Sequence, residues 1–116
     1  MVARRHYQPE RGHFVVLNFT PQSGTEQSGR RPALVLSPVE HNIATSLALV
    51  CPITNQVKGS AFEVPTGARD VTGVVLANQV RAVDWLARGA EFRGVAPEQT
   101  LFEVLARIEA VLGLGR

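Results

Sequence analysis

Cysteine is almost absent from the sequence. Cys51 is the only one in 116 residues, so no internal disulfide can form. Its neighbours are apolar, and a lone thiol inside an apolar strand more often serves packing than chemistry. We therefore expect Cys51 to be buried and to have no chemical role.

Long apolar runs are missing as well. No stretch approaches the length needed to cross a bilayer, and residues 1–11 are polar and basic, with no apolar signal-peptide stretch behind them. The sequence therefore predicts a cytoplasmic protein. With 45% hydrophobic and 19% charged residues, its composition and length predict one globular domain spanning residues 1–116.

Motifs for metals and nucleotides are absent too. There is no CxxC or HExxH, and His6, His13 and His41 lack ligand-like spacing. Gly24 and Gly29 fit neither the dinucleotide fingerprint nor the P-loop pattern with its lysine. We therefore expect neither a metal ion nor a cofactor.

Positive charge is concentrated at one end of the sequence. Residues 1–31 contain five arginines and two glutamates, a balance of +3, which leaves −1 for the remainder of the total of +2. Such asymmetry suits a phosphate-bearing partner, although scattered solvated arginines are the commoner explanation.

Most of the chain has the pattern of short β-strands, rich in β-branched and aromatic residues. Strands are predicted at 13–19, 32–37, 46–53, 61–64, 74–80 and 82–86. Between the first two lies a polar stretch, residues 21–31, that is too long for a tight hairpin. Loops of that length in a compact domain are usually functional or disordered.

The C-terminal part has helical periodicity instead. Its apolar residues recur at Leu101, Leu105, Ile108 and Leu112. Signals typical of helix starts, side-chain pairs and helix ends accompany them, namely Pro97, Glu98, the pair Glu103 and Arg107, and Gly113. Five or six strands and one terminal helix predict a mainly β fold, a small closed or half-closed antiparallel barrel with a C-terminal α-helix packed against it.

The first candidate for chemistry is the glycine-bounded segment 24–32. Arg31 precedes Pro32, which favours an extended backbone and narrows where the guanidinium can point. A planar, permanently charged fork on a restrained stem is suited to binding a phosphate. On the dipeptide alone, Arg30 and Arg31 are more often two solvated arginines.

The second and third candidates are strand ends. Residues 52–59 end an apolar strand in hydroxyl, amide and ammonium groups, the donors that phosphate recognition uses, although a polar strand exit has the same composition. In residues 77–85, amides and an arginine follow an apolar strand. Amides can read base edges in single-stranded RNA, and an exposed Trp85 could stack on a base, but a buried Trp85 is the more frequent case.

In this order and spacing, the three segments resemble the MazF/PemK family of toxin endoribonucleases from type II toxin–antitoxin pairs. The resemblance covers almost the whole chain. The residues that carry it are Arg11-Gly12, Gly24 through Pro38, Pro52-Ile53-Thr54, Lys58-Gly59, Phe62-Glu63-Val64, Gly73 through Leu76, Asn78 through Arg81 and the C-terminal helix.

The resemblance implies an SH3-like barrel that forms twofold homodimers and cuts single-stranded RNA, such as mRNA, without a metal ion. The 2′-hydroxyl attacks the neighbouring phosphate and leaves a 2′,3′-cyclic phosphate and a 5′-hydroxyl. It also implies a cognate antitoxin whose acidic, partly disordered C-terminal tail covers the basic groove.

By the same resemblance the catalytic residues are Arg31, Thr54 and, as the acidic position of the loop, Glu26. The implied RNA contacts are Gln27, Arg30, Asn55, Gln56, Lys58, Asn78, Gln79 and Arg81. A pentacoordinate phosphorane gains negative charge on its equatorial oxygens, which a fixed guanidinium and a hydroxyl donor can stabilise. Glu26 is the carboxylate available as a base, while the identity of the general acid stays open.

Two other functions fit a barrel of this kind, because one architecture hosts several activities. One is a toxin resembling CcdB, which poisons DNA gyrase through its C-terminal end and cleaves nothing. The other is a non-catalytic RNA-binding barrel. Asn78 stands where several relatives carry an acidic residue, so the preferred cut sequence is open.

Overall fold

The computed structural model describes residues 6–19 and 29–114. Within these ranges the elements are β1 (His13–Asn18), β2 (Arg30–Val35), α1 (Val39–Thr45), β3 (Leu47–Thr54), β4 (Glu63–Pro65), β5 (Val74–Leu76), β6 (Arg81–Asp84), β7 (Glu91–Val95) and α2 (Glu98–Leu112). All pairings between these strands are antiparallel. The predicted mainly β fold with a C-terminal helix is confirmed.

Strand β3 is the centre of the sheet. Its first half pairs with β6, where Leu47 faces Asp84, and its second half pairs with β5, where Ile53 faces Val75. The full path of neighbours is β4-β5-β3-β2-β1-β7. Among the described strands β4 and β7 are the two ends of this path, so the sheet is half-closed rather than a closed barrel.

The core consists of two clusters on the two faces of the central strands. The one that packs against α2 contains Phe14, Leu34, Cys51, Ile53, Val75 and Val104, among others. The other contains Val15, Leu17, Ala33, Val50, Val83 and Trp85, among others. Because side chains alternate between faces and both faces are covered, these strands read as continuous apolar runs.

Cys51 and Trp85 are both core residues. The Cys51 side chain is fully buried, and burial raises the pKa of its thiol to about 12. Trp85 is only 8% exposed, and its indole Nε1 donates to the backbone oxygen of Asn42 at 2.9 Å. The expectation of a packing role for Cys51 and the more frequent, buried interpretation of Trp85 are confirmed.

Helix α2 follows the sequence signals closely. It begins at Glu98, directly after Pro97, and Glu103 accepts a hydrogen bond from Arg107 one turn later at 2.6 Å. Gly113 ends it in the left-handed conformation, φ 71°, and donates to the Ala110 oxygen. No helix within the described ranges is both long and apolar enough to cross a membrane.

The differences from the predicted elements concern short segments. Helix α1 and strand β7 were not predicted, and the strand expected at 74–80 ends at Leu76. There Gln79 donates to the Leu76 backbone oxygen at 3.1 Å, which closes a turn. The polar loop lies outside the described residues except for Gly29 to Arg31.

Candidate active site

A polar pocket of about 270 Å³ lies between the end of β3 with the segment that follows it and the end of β5 with the turn that follows it. The side chains that line it are mostly hydroxyls, amides and charged groups, namely Thr54, Gln56, Lys58, Ser60, Phe62, Glu63, Leu76, Asn78 and Gln79. Five of the predicted site residues, from two separate segments of the sequence, therefore lie around one cavity.

The pairing of β3 with β5 brings these two segments together. Thr54, the last residue of β3, lies opposite Val74, the first residue of β5. After β5 the chain turns at once, since Gln79 donates to the Leu76 oxygen and Ala77 donates to the Phe62 oxygen. The turn holds Asn78 and Gln79 beside the residues that follow Thr54.

The Thr54 hydroxyl is fixed from one side. Its Oγ1 accepts a hydrogen bond from the backbone N–H of Gln56 at 3.0 Å. Among the described residues nothing accepts the proton of this hydroxyl, so Thr54 can donate it to a bound oxygen. A hydroxyl held at its oxygen and aimed into a pocket is suited to stabilising a phosphate oxygen.

Close packing of Gly73 keeps the end of β3 in place. Gly73 has φ +105°, and a Cβ atom there would overlap the backbone oxygen of Thr54 and lie 2.9 Å from Oδ1 of Asn55. Asn55 Oδ1 also accepts a hydrogen bond from the Thr72 hydroxyl at 3.1 Å. Only glycine permits this approach without movement of Thr54.

Arg31 reaches the same edge of the sheet through β2. The β2–β3 ladder pairs Ala33 with Pro52, and the same register continued by two residues sets Arg31 opposite Thr54. Cross-strand partners have their side chains on one face of the sheet. Arg31 is exposed, and the residues that line the pocket do not include it.

Other predicted contacts lie outside the pocket lining. The Arg30 guanidinium donates to the oxygens of Val16 at 3.1 Å and Gly89 at 2.9 Å, on the face opposite Arg31. Arg81 is half-buried, with its guanidinium carbon 5.1 Å from the centre of the Phe19 ring. Asn55 is engaged with Thr72, as described above. The structure therefore does not bring these three residues into the cavity.

Two predicted residues, Glu26 and Gln27, lie outside the described residues. The sequence also did not indicate Ser60, Phe62, Glu63 and Leu76 as pocket residues. Glu63 carried a usable signal, because a carboxylate between the apolar Phe62 and Val64 in a strand needs polar partners. Its partners are backbone groups, which no residue pattern reveals.

None of the described histidines lines this pocket. The Tyr7 hydroxyl and His13 Nδ1 are hydrogen-bonded at 2.5 Å, and burial lowers the pKa of His13 from its ordinary value. In the part of the chain that the structure describes, no three His, Cys, Asp or Glu side chains are grouped as metal ligands would be.

The cavity on this mainly β protein is thus surrounded by a hydroxyl, an ammonium group, a carboxylate and several amides, and hydroxyls, amides and ammonium groups are the donors used in phosphate recognition. A family model described as "PemK-like, MazF-like toxin of type II toxin-antitoxin system" matches residues 10–112. The chain therefore belongs to this family of toxins.

Similar proteins match over nearly their full length. The endoribonuclease toxin MazF of Escherichia coli (strain K12) is 41% identical over 113 residues, which cover 97% of this chain and 100% of that protein. The endoribonuclease toxin ChpB of the same strain is 45% identical over 109 residues, or 89% of this chain and 93% of that protein.

Solved structures match equally well. The crystal structure of MazF (Form-I) from Deinococcus radiodurans is 50% identical with a TM-score of 0.87, covering 93% of this chain and 99% of that chain. A MazE-MazF crystal structure (Form-II) from the same organism is 50% identical with a TM-score of 0.86, covering 94% and 99%.

Proposed function

We propose that this chain is a toxin endoribonuclease that cuts single-stranded RNA, including mRNA, without a metal ion. One observation carries the proposal. The Thr54 hydroxyl, the Lys58 ammonium and the amides of Gln56, Asn78 and Gln79 line one cavity, in a chain whose full-length relatives are named endoribonucleases.

The proposed reaction is a transfer within the RNA strand. The ribose 2′-oxygen forms a bond to the adjacent phosphorus and gives its proton to the Glu26 carboxylate. The bond from phosphorus to the 5′-oxygen breaks, and that oxygen takes up a proton from the surrounding water. The products are a 2′,3′-cyclic phosphate and a 5′-hydroxyl.

Arg31 and Thr54 are proposed to stabilise the transition state of this reaction. Negative charge grows on the equatorial phosphate oxygens, where a guanidinium and a hydroxyl donor act more strongly than in the ground state. The β2–β3 ladder, whose last pair is Ala33 and Pro52, supports this assignment, because Arg31 and Thr54 each lie two residues beyond that pair. The acceleration of cleavage would then come from alignment of the reacting groups and from electrostatic stabilisation of the transition state.

The substrate would lie along the edge of the sheet. Lys58 is proposed to contact phosphate, and Gln56, Asn78 and Gln79 to contact a base or sugar within the cavity. The remaining predicted contacts would meet the flanking nucleotides. These are Gln27, Arg30, Asn55 and Arg81.

A second copy of this chain is the proposed partner on an apolar groove next to the pocket. The groove, about 680 Å³, lies between α1, β3 and the end of α2. Several of its apolar side chains are exposed, with Leu49 at 38%, Val80 at 40% and Leu112 at 62%. Asn78 lines both the groove and the pocket, so the partner copy would adjoin the site.

The proposal includes an antitoxin with an acidic C-terminal tail. A similar structure from Deinococcus radiodurans is of MazE-MazF, which supports a protein partner for this chain. We propose further that residues 1–116 form one domain and that the protein works in the cytoplasm, where its RNA substrate is found.

The test is cleavage in the absence of free metal ions. The purified chain, mixed with a long single-stranded RNA in excess EDTA, should release fragments that end in 2′,3′-cyclic phosphate, while Arg31→Ala should release almost none. Intact RNA together with inhibited DNA gyrase would favour the CcdB-like alternative. RNA that is bound but never cut would favour a non-catalytic barrel.

A further inference from the structure

One wall of the pocket is an irregular segment, residues 55–62, which we call the pocket loop. It supplies Gln56, Lys58, Ser60 and Phe62 to the cavity, yet it contains no strand or helix. A segment without its own ladder of hydrogen bonds depends for its order largely on contacts with the rest of the protein. The contacts that order the pocket loop therefore determine the shape of the cavity.

Glu63 makes the first of these contacts. Its carboxylate accepts hydrogen bonds from the backbone N–H of Lys58 at 3.0 Å and of Gly59 at 2.9 Å. Gly59 has φ +81°, a turn geometry in which successive N–H groups converge on one anion. Glu63 thereby fixes the point of the loop from which the Lys58 side chain extends.

Arg107 makes the second contact, from helix α2. Its Nε donates to the backbone oxygen of Ala61 at 2.9 Å. Its Nη1 donates to Glu103 Oε1 at 2.6 Å, and Glu103 in turn accepts from Gln99 at 2.8 Å. The guanidinium is therefore oriented within the helix and joins α2 to the far end of the pocket loop.

We propose that Arg107, which does not line the pocket, is a positioning residue that acts with Glu63 to hold the pocket loop in its RNA-binding shape. This rests on the proposed RNA-cutting function. Without the contact to Ala61, the end of the loop near α2 would lose one of its anchors, and the entropic cost of ordering it on binding would weaken affinity for RNA. Thr54 keeps its place in β3 beside Gly73, so the chemical step is retained.

The first test separates binding from chemistry. For Arg107→Ala we expect KM for a short single-stranded RNA to rise about three- to tenfold, the effect of one hydrogen bond, with kcat changed less than about twofold. Arg107→Lys retains the charge and one donor, so its KM should lie between those of the wild type and Arg107→Ala. Arg93→Ala is the matched control, because Arg93 also contacts a glutamate, Glu91 at 3.5 Å, but lies on β7 away from the pocket.

The second test needs no RNA. Amide hydrogen exchange, followed by NMR, should speed up at Lys58 and Gly59 in Arg107→Ala and more strongly in Glu63→Gln, which loses one carboxylate oxygen and the charge. Arg93→Ala should exchange at these amides like the wild type. If Arg107→Ala does not fold, Arg107→Lys takes its place in both measurements.

Failure of the inference about Arg107 and failure of the proposed function give different results. A wild type that cuts RNA, together with an Arg107→Ala protein that matches Arg93→Ala in KM and in exchange, overturns the inference alone. A decrease in kcat at unchanged KM also overturns it, because the loop would then serve the chemical step. A wild type that leaves RNA intact overturns the proposed function and, with it, the part of Arg107 in RNA binding.

Discussion

The proposed role of Thr54 rests on one hydrogen bond. Its hydroxyl oxygen accepts from the backbone N–H of Gln56, which restrains the side chain and leaves the hydroxyl proton available to a bound oxygen. A serine in the same place could do the same with one methyl group less to restrain it, whereas an alanine could not.

We therefore predict that Thr54→Ala lowers kcat roughly 10²- to 10³-fold, the usual effect of removing one donor to a developing oxyanion. Thr54→Ser should retain most of the rate. Single-turnover cleavage of one short RNA measures both, with thermal melting as the check on folding. Undiminished cleavage by a folded Thr54→Ala protein would remove this hydroxyl from the mechanism.

Gly73 is the second position where a single residue matters, since a Cβ atom there would overlap the carbonyl oxygen of Thr54. Gly73→Ala should lower the free energy of unfolding by roughly 2 kcal/mol or more, because steric overlap adds to the strain of a positive φ. It should also slow cleavage by moving Thr54.

Gly113→Ala is the matched control for this change. Gly113 has φ +71°, and a Cβ atom there would meet nothing within 4 Å. Gly113→Ala should therefore lower the free energy of unfolding only through the strain of a positive φ, by about 1 kcal/mol. Urea unfolding compares the two variants, and equal losses would contradict the steric argument.

Among the elements, α2 does more than cover the core. The Arg107 side chain, through its hydrogen bond, and that of Gln99 hold the pKa of Glu103 below its ordinary value. A depressed pKa in the folded state means that this contribution to stability is present above the unfolded value of about 4.5 and is lost as the pH falls through the folded value.

The expected outcome is a difference in stability that depends on pH. At pH 7 the Glu103→Gln protein should be less stable than the wild type, and the gap should narrow as the pH is lowered below about 4.5. Glu109→Gln, on the same helix without such partners in the described residues, should show no comparable change. Chemical denaturation at several pH values checks this, and a gap that stays constant would contradict it.

The elements differ in how well the sequence predicts them, and burial explains the difference. Strands β1, β2 and β3 are apolar on both faces and α2 is amphipathic, so their patterns are strong. Strand β7 is almost entirely exposed, and α1 is only seven residues long. Neither carries a pattern that distinguishes it from a loop.

The candidate site shows the same division. Thr54, Gln56 and Lys58 are neighbours in sequence and line one pocket, as the polar end of an apolar strand indicates. The sequence did not assign Arg30 and Arg31 to opposite faces, because the predicted strand begins at Pro32, whereas β2 begins at Arg30. Nor could it show that Glu63 binds backbone groups, since every residue carries the same ones.

For the molecule as a whole, the apolar groove predicts association. Leu112→Asp should convert a dimer into monomers, because a charge would be buried in the contact. Phe102→Asp is the matched control. Phe102 is on the same helix and 63% exposed, against 62% for Leu112, but does not line the groove. Sedimentation velocity measures both variants, and a wild type that stays monomeric at micromolar concentration would rule out this interface.

Asn78 forms part of the wall between the groove and the pocket. A second copy bound in the groove would therefore pack against the same residue that lines the pocket. The cleavage rate per subunit should then fall when the protein is diluted below the dissociation constant of the dimer. It should recover when an inactive Thr54→Ala subunit is added in excess, because the added subunits restore dimers by mass action. The total rate of RNA cleavage would therefore rise more steeply than the concentration of the toxin.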